Sequence, residues 1–345
     1  MATTETRELQ CVNPECRVAE TGKCVEGYAL NQCPHFGRVA PESKEIRSDN
    51  NVSAAESTEQ VDQGITLPSG ERLSTVEASS ILRAGEARVI AIIGPTEAGK
   101  TTLIASIYDL FQNGPVDELH FARSRTLSAF EQACHHARAA SMRTTPHTER
   151  TLLSAGIGFY HLGIQNRENS TSVDMLLADR AGEEYRSAAD TPSAANEFVE
   201  IHRADTITTL VDGRRLLDTG ERHNIRSEIE LILQAFIDSS VVTPGQRVAL
   251  VLTKLDEVKS SSAKERAERD FSTLVQSVRR LFGETFSEIE EFRVAASPVT
   301  DLLPRGYGIP ALLRFWIAAT PFTAPAPLSI PRVGRAMSRL TIVEE

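Results

Sequence analysis

The stretch 89-VIAIIGPTEAGKTTL-103 decides how this chain reads. Val89–Ile93 is continuously apolar, as a strand buried on both faces would be. Gly94-Pro95-Thr96-Glu97-Ala98-Gly99-Lys100-Thr101 then fits G-x-x-x-x-G-K-[ST] in full. Such a loop turns its backbone N–H groups inward around a phosphate. Gly94 and Gly99 permit a close approach and unusual dihedrals. The helix that follows adds the positive end of its dipole. On this reading Thr96, Glu97, Ala98, Gly99 and Thr102 line the phosphates with Gly94. Lys100 places a cation on the β and γ phosphates, and the Thr101 hydroxyl oxygen is a ligand for Mg²⁺. A chance turn carrying a surface lysine is the alternative. The apolar strand before it, and Ile104, Ile107 and Phe111 at helical spacing after it, argue against that.

Working outward, further strand signals fall at 119–122, 159–164, 173–178, 207–211, 248–252 and 292–295, with helical patterns between most of them. Ser74 with Glu77 three residues on forms a capping box opening a short helix. "RSEIELILQAFIDSS" and "AERDFSTLVQSVRRLF" are amphipathic, and Pro310 suits the first turn of a helix over "GIPALLRFWIAA". Apolar strands alternating with helices predict an α/β fold, a mostly parallel sheet with helices on both faces. This domain is expected over 67–320. Residues 41–66 have a polar linker composition, 1–40 hold a cysteine cluster, and 321–345 form a Pro-rich, then basic tail.

Three more stations follow the phosphate loop. "SVDMLLADRAGEEYR" ends an apolar run in Asp179, which can hold the water shell of Mg²⁺, and Gly182 leaves a backbone N–H for a γ phosphate. "VALVLTKLDEV" ends a second run in Thr253-Lys254-Leu255-Asp256. A carboxylate accepts two hydrogen bonds from the N1 and N2 donors of guanine, whereas adenine offers it a repulsive edge. The Lys254 stem can cover the ring. In "FRVAASPVT", Ala296 and Ser297 can offer N–H groups to the guanine O6. Taken singly, each of these also fits an ordinary turn.

The whole chain has 345 residues and a net charge of −10, which argues against general nucleic-acid binding. No run approaches a membrane span, and "MATTETRELQ" has no apolar signal core, so a cytosolic (cytoplasmic) location is expected. Four of five cysteines, Cys11, Cys16, Cys24 and Cys33, lie close together. In a reducing compartment they predict a structural Zn²⁺ site, with His35 as a fifth candidate and two disulfides or free thiols as the alternative.

Phosphate loop, D-x-x-G, T-K-x-D and A-S, in this order, resemble the translation-factor and Ras-like GTPases. "DRAGEEY", "TTLVDGRRL" and the long insert before "GFYHLGI" are similar to the bacterial double-GTPase group associated with conflict and immune operons, as is the cysteine cluster. The resemblance implies GTP and GDP as ligands, slow hydrolysis, two switch segments, and protein partners: an effector and possible activating protein. It also implies a water-orienting residue after the D-x-x-G glycine. Glu183 stands there in place of the common Gln. A carboxylate beside a γ phosphate is repelled, so turnover is expected to be slow. A first-switch threonine for Mg²⁺ and γ phosphate is expected at Thr151, with Thr148 second. Arg180 reaches a phosphate or forms a solvent-facing salt bridge, and Cys134 belongs to the core. Competing readings are a P-loop small-molecule kinase, an ATPase, and a scaffold that keeps its nucleotide and works through the cysteine segment.

Overall fold

The computed structural model describes residues 69–137, 156–167, 171–190 and 192–318. All lie in the second of the two units into which the chain divides, Ile65–Glu345. Among the described residues the first helix, α1 (Thr75–Ala84), opens on the predicted capping box: the Ser74 N–H donates to Glu77 Oε2 at 2.8 Å, and the Glu77 N–H donates to Ser74 Oγ at 3.4 Å. Then come β1 (Ala87–Ile93), α2 (Lys100–Gln112), β2 (Leu119–Arg123), α3 (Leu127–Ala137), β3 (Gly158–Asn166) and β4 (Thr171–Asp179). After them run α4 (Gly182–Asp190), α5 (Pro192–Ala195), α6 (Val199–Arg203), β5 (Thr206–Asp212), α7 (Gly213–Leu217) and α8 (Arg222–Asp238). The described part closes with β6 (Arg247–Thr253), α9 (Leu255–Ser260), α10 (Lys264–Phe282), β7 (Glu288–Arg293) and α11 (Ile309–Ile317).

The strands form one sheet in the order β2-β3-β4-β1-β5-β6-β7. The run β4-β1-β5-β6-β7 is parallel, and only β3 opposes its two neighbours. The β3–β4 connection is too short for a helical crossover, which forces the antiparallel pairing. The fold is therefore mixed α/β with a mostly parallel sheet, as expected. Alternate side chains of each strand feed opposite layers. Ile90, Ile92, Met175, Leu177 and Val251 pack with α2, α3 and α11. Ala91, Ile93, Ile207 and Leu250 pack with α8 and α10, while Val89, Leu176 and Ala178 meet α1 on that same side. Cys134 is fully buried among the first group, as expected of a core thiol.

One strand departs from its prediction. The apolar run 292–295 suggested β7, yet the strand is Glu288–Arg293. β7 is an edge with one neighbour, so its three glutamates can meet water. Val294 and Ala295 are buried after the strand, where the Val294 N–H donates to the Leu252 carbonyl at 2.8 Å and the Ala295 N–H to the Tyr307 carbonyl at 3.0 Å. Among the described residues no helix is long and apolar enough to cross a membrane. The carboxyl ends of the parallel strands gather at one edge of the sheet, where α/β folds bind their ligands.

Candidate functional site

The loop after β1 adopts the conformation its glycines allow. Gly94 and Gly99 have φ of 158° and 94°, and Glu97 joins them in the left-handed region at 64°. A Cβ on Gly94 would come within 3.0 Å of Leu210 Cβ. α2 starts at Lys100 with Gly99 as its cap, so the N–H groups of its first turn face the loop. Lys100 folds back across the loop and donates from Nζ to the carbonyls of Gly94 at 3.0 Å and Pro95 at 3.2 Å. Burial holds its pKa below the ordinary lysine value, against the opposing pull of Asp179 and Glu183.

Those two acids come from the end of β4 and the start of α4. Asp179 is the last residue of β4 and is 1% exposed. Its Oδ2 accepts from Arg72 Nη1 at 3.3 Å. Gly182 presses its backbone on the loop: a Cβ there would lie 2.4 Å from the Gly94 carbonyl oxygen and 2.8 Å from Lys100 Nζ. Only glycine fits that space. Glu183 Oε1 accepts from Thr96 Oγ1 at 3.1 Å. Arg180 does not face solvent. It is buried, with Nε donating to Glu200 at 2.7 Å and its guanidinium 4.9 Å from the Phe198 ring centre. The solvent-facing salt bridge expected for Arg180 is thus replaced by a buried ion pair, because Glu200 on α6 turns inward to meet it.

The T-K-L-D loop sits against the other flank of the phosphate loop. Thr253, the last residue of β6, donates from Oγ1 to the Ala98 carbonyl at 2.9 Å. Lys254 adopts a left-handed φ of 53° and pairs with Asp212 at 2.8 Å. Asp256 is buried, and its Oδ2 accepts from the Val299 N–H at 2.8 Å. This bond brings the loop holding Ala296 and Ser297 beside Asp256, with the anchoring N–H two residues beyond Ser297. The Ala296 carbonyl accepts from the Gly306 N–H at 3.2 Å.

An open cleft of about 510 Å³ runs past the phosphate loop. Thr96, Glu97, Gly182 and Glu183 line it, facing Asp212, Arg214 and Lys254, while Asp256 lies outside its lining. Arg72, Asp212, Arg214 and Val299 were not singled out from sequence. "TTLVDGRRL", in which β5 ends at Asp212 and a helix begins, was a signal for two of them, whereas Val299 acts through its backbone and leaves no side-chain signature. Among the described residues no cluster of three His, Cys, Asp or Glu is placed to hold a metal. Thr101, second residue of α2, and Asp179, last residue of β4, carry a hydroxyl and a carboxylate. That hard-oxygen set suits Mg²⁺, which keeps waters and substrate phosphates rather than an all-protein cage. Thr148 and Thr151, and the zinc candidates Cys11, Cys16, Cys24, Cys33 and His35, lie outside the described residues.

Among curated proteins none matches the sequence. Solved structures give distant likenesses. Roco2 RocCORdC of Methanosarcina barkeri bound to GDP is 14% identical over 67% of this chain and 48% of that one, with TM-score 0.32. The bacterial selenocysteine-specific elongation factor EF-Sec is 18% identical over 60% and 26%, with TM-score 0.31. Sup35 complexed with GDP is 16% identical over 68% and 45%, with TM-score 0.30. The chain thus spans less than half the length of each. The profile of the family described as Double-GTPase 2 matches residues 88–317, well over half of the sequence. The chain belongs to the double-GTPase 2 family, and its domain is a GTP-binding P-loop domain of the GTPase type.

Proposed function

We propose that this protein is a Mg²⁺-dependent guanine-nucleotide switch that hydrolyses GTP slowly. The observation carrying this reading is the bond from Thr253 Oγ1 to the Ala98 carbonyl. It ties the base-reading loop to one flank of the phosphate loop, while Lys100 and Gly182 pack on the other. One nucleotide laid along that loop meets Asp256 at its base and Lys100 at its phosphates.

In this account the N–H groups of Gly94 and of residues 96–102 hold the phosphates, and Lys100 exchanges its two carbonyl partners for phosphate oxygens. Thr101 and Asp179 would hold the metal, and Thr151 is the first-switch residue expected to join them. The metal, when bound, neutralises charge between the β and γ phosphates. The Gly182 N–H senses the γ phosphate. Glu183 orients water against the repulsion of the phosphate beside it, which keeps turnover slow. Asp256, steadied by the Val299 N–H, reads guanine, with Lys254 over the ring and Ala296 and Ser297 at O6. The family resemblance favours a cytosolic role in a bacterial conflict system, with an effector reading the loaded state and the four cysteines holding structural Zn²⁺ for docking.

Equilibrium binding of GTP, GDP and ATP to the full chain and to Asp256→Ala tests the reading. The native chain should favour guanine nucleotides, and the variant should lose about 10- to 100-fold of that preference. ATP bound as tightly as GTP by the native chain would end it.

A further inference from the structure

Asp179 and Arg72 form an unequal pair. The carboxylate is buried at the end of β4, where a bare charge is costly and some cation must offset it. The Arg72 side chain keeps 28% of its surface exposed, so it can withdraw into water without stranding a charge. Their contact of 3.3 Å is long for a charge-assisted bond. Elsewhere in the molecule Arg123 meets Asp174 at 2.6 Å and Arg180 meets Glu200 at 2.7 Å.

The backbone beneath Arg72 is anchored firmly. Leu73 and Phe159 exchange N–H donors and carbonyls at 2.9 and 3.0 Å. The Gly70 carbonyl accepts from the Ala129 N–H at 2.9 Å, and Glu71 accepts from Ser128 Oγ at 3.0 Å. Gly158, paired in register with Asp179, leaves room for the arginine stem: a Cβ there would stand 3.2 Å from Arg72 Cβ, Cδ and Nε. The guanidinium is therefore held within reach of Asp179 on a fixed base, with a loose grip.

Resting on the magnesium and nucleotide reading above, we propose that Arg72 is a built-in competitor for the metal-site carboxylate. It neutralises Asp179 when no metal is bound and sets the magnesium level below which the nucleotide is released. Arg72 gives up Asp179 on loading and re-forms the pair on release.

The test uses the full chain loaded with fluorescent mant-GDP. Its dissociation rate is followed across free Mg²⁺ from micromolar to millimolar, for the native protein, Arg72→Gln and Arg72→Lys. Arg72→Gln should hold nucleotide down to about fivefold less Mg²⁺, and Arg72→Lys should stay within about twofold of native. A midpoint unmoved or raised in Arg72→Gln overturns the proposal. A second readout needs no loss of the arginine: in the native chain the Arg72 Nη–H groups, one of which now bonds Asp179, should exchange with solvent faster once Mg²⁺ and GDP are bound. Unchanged exchange overturns the proposal as well. A native chain that retains no mant-GDP at any Mg²⁺ level defeats the nucleotide reading itself, and this proposal with it.

Discussion

His161 shows how buried polar groups shape this molecule one residue at a time. It is 1% exposed. Its Nδ1 accepts from the Arg125 N–H at 3.0 Å, so the proton sits on Nε2, facing Asp174 Oδ1 at 3.1 Å. Burial pushes the His161 pKa below its ordinary value, against the pull of Asp174. Burial raises the Asp174 pKa, but Arg123 and His161 outweigh it and leave that carboxyl below its usual range. Both shifts have the same sign for stability. Below about pH 6.5 the unfolded chain protonates its histidine while the folded one resists, so stability falls as pH drops towards the lowered value. Asp174 adds a further loss once pH falls through its own lowered value. Urea midpoints at about pH 7.5 and about pH 5.5 should differ more for the native chain than for His161→Gln. Equal differences would contradict the assignment. Nothing in "FYHLGI" announced this residue, because its meaning depends on Asp174 across β4 and Arg125 before α3. Lys100 was legible because its chemistry is set by neighbours along the chain.

Elements divide in a similar way. Helices whose burial follows a single face, such as α10 with Phe271, Leu274, Val275 and Val278 against the sheet, were readable from periodicity alone. β7 was not, since an edge strand with Glu288, Glu290 and Glu291 lacks the apolar run that marked the central strands. α11 was placed by its pattern, but not the reason it holds. Trp316 is fully buried against the sheet and donates from Nε1 to Thr208 Oγ1 at 2.9 Å. Trp316→Ala should cost about 3–5 kcal/mol, from lost burial and a cavity. The check is a lower midpoint in urea with an unchanged slope, and a loss under about 1 kcal/mol would show that α11 is peripheral to the core.

At the scale of the whole molecule, the parallel sheet turns sequence order into spatial convergence. Lys100, Asp179 and Asp256 stand far apart along the chain. Their loops all leave the same edge, because parallel strands share a direction and each crossover returns the chain to the start. The motif order made that edge predictable. The side-chain partners found there, Arg72 on Asp179 and Val299 on Asp256, were not, since they follow from which loops touch. The central claim is that Asp256 and Lys100 grip two ends of one guanosine nucleotide. Xanthine carries a carbonyl where guanine carries its C2 amino group, so an amide at position 256 would donate where the carboxylate accepts. The direct measurement is competition between GTP and XTP for the native chain and for Asp256→Asn. The account predicts that the native chain prefers GTP and the variant prefers XTP, with phosphate-loop binding intact in both. A variant whose preference does not move would contradict it.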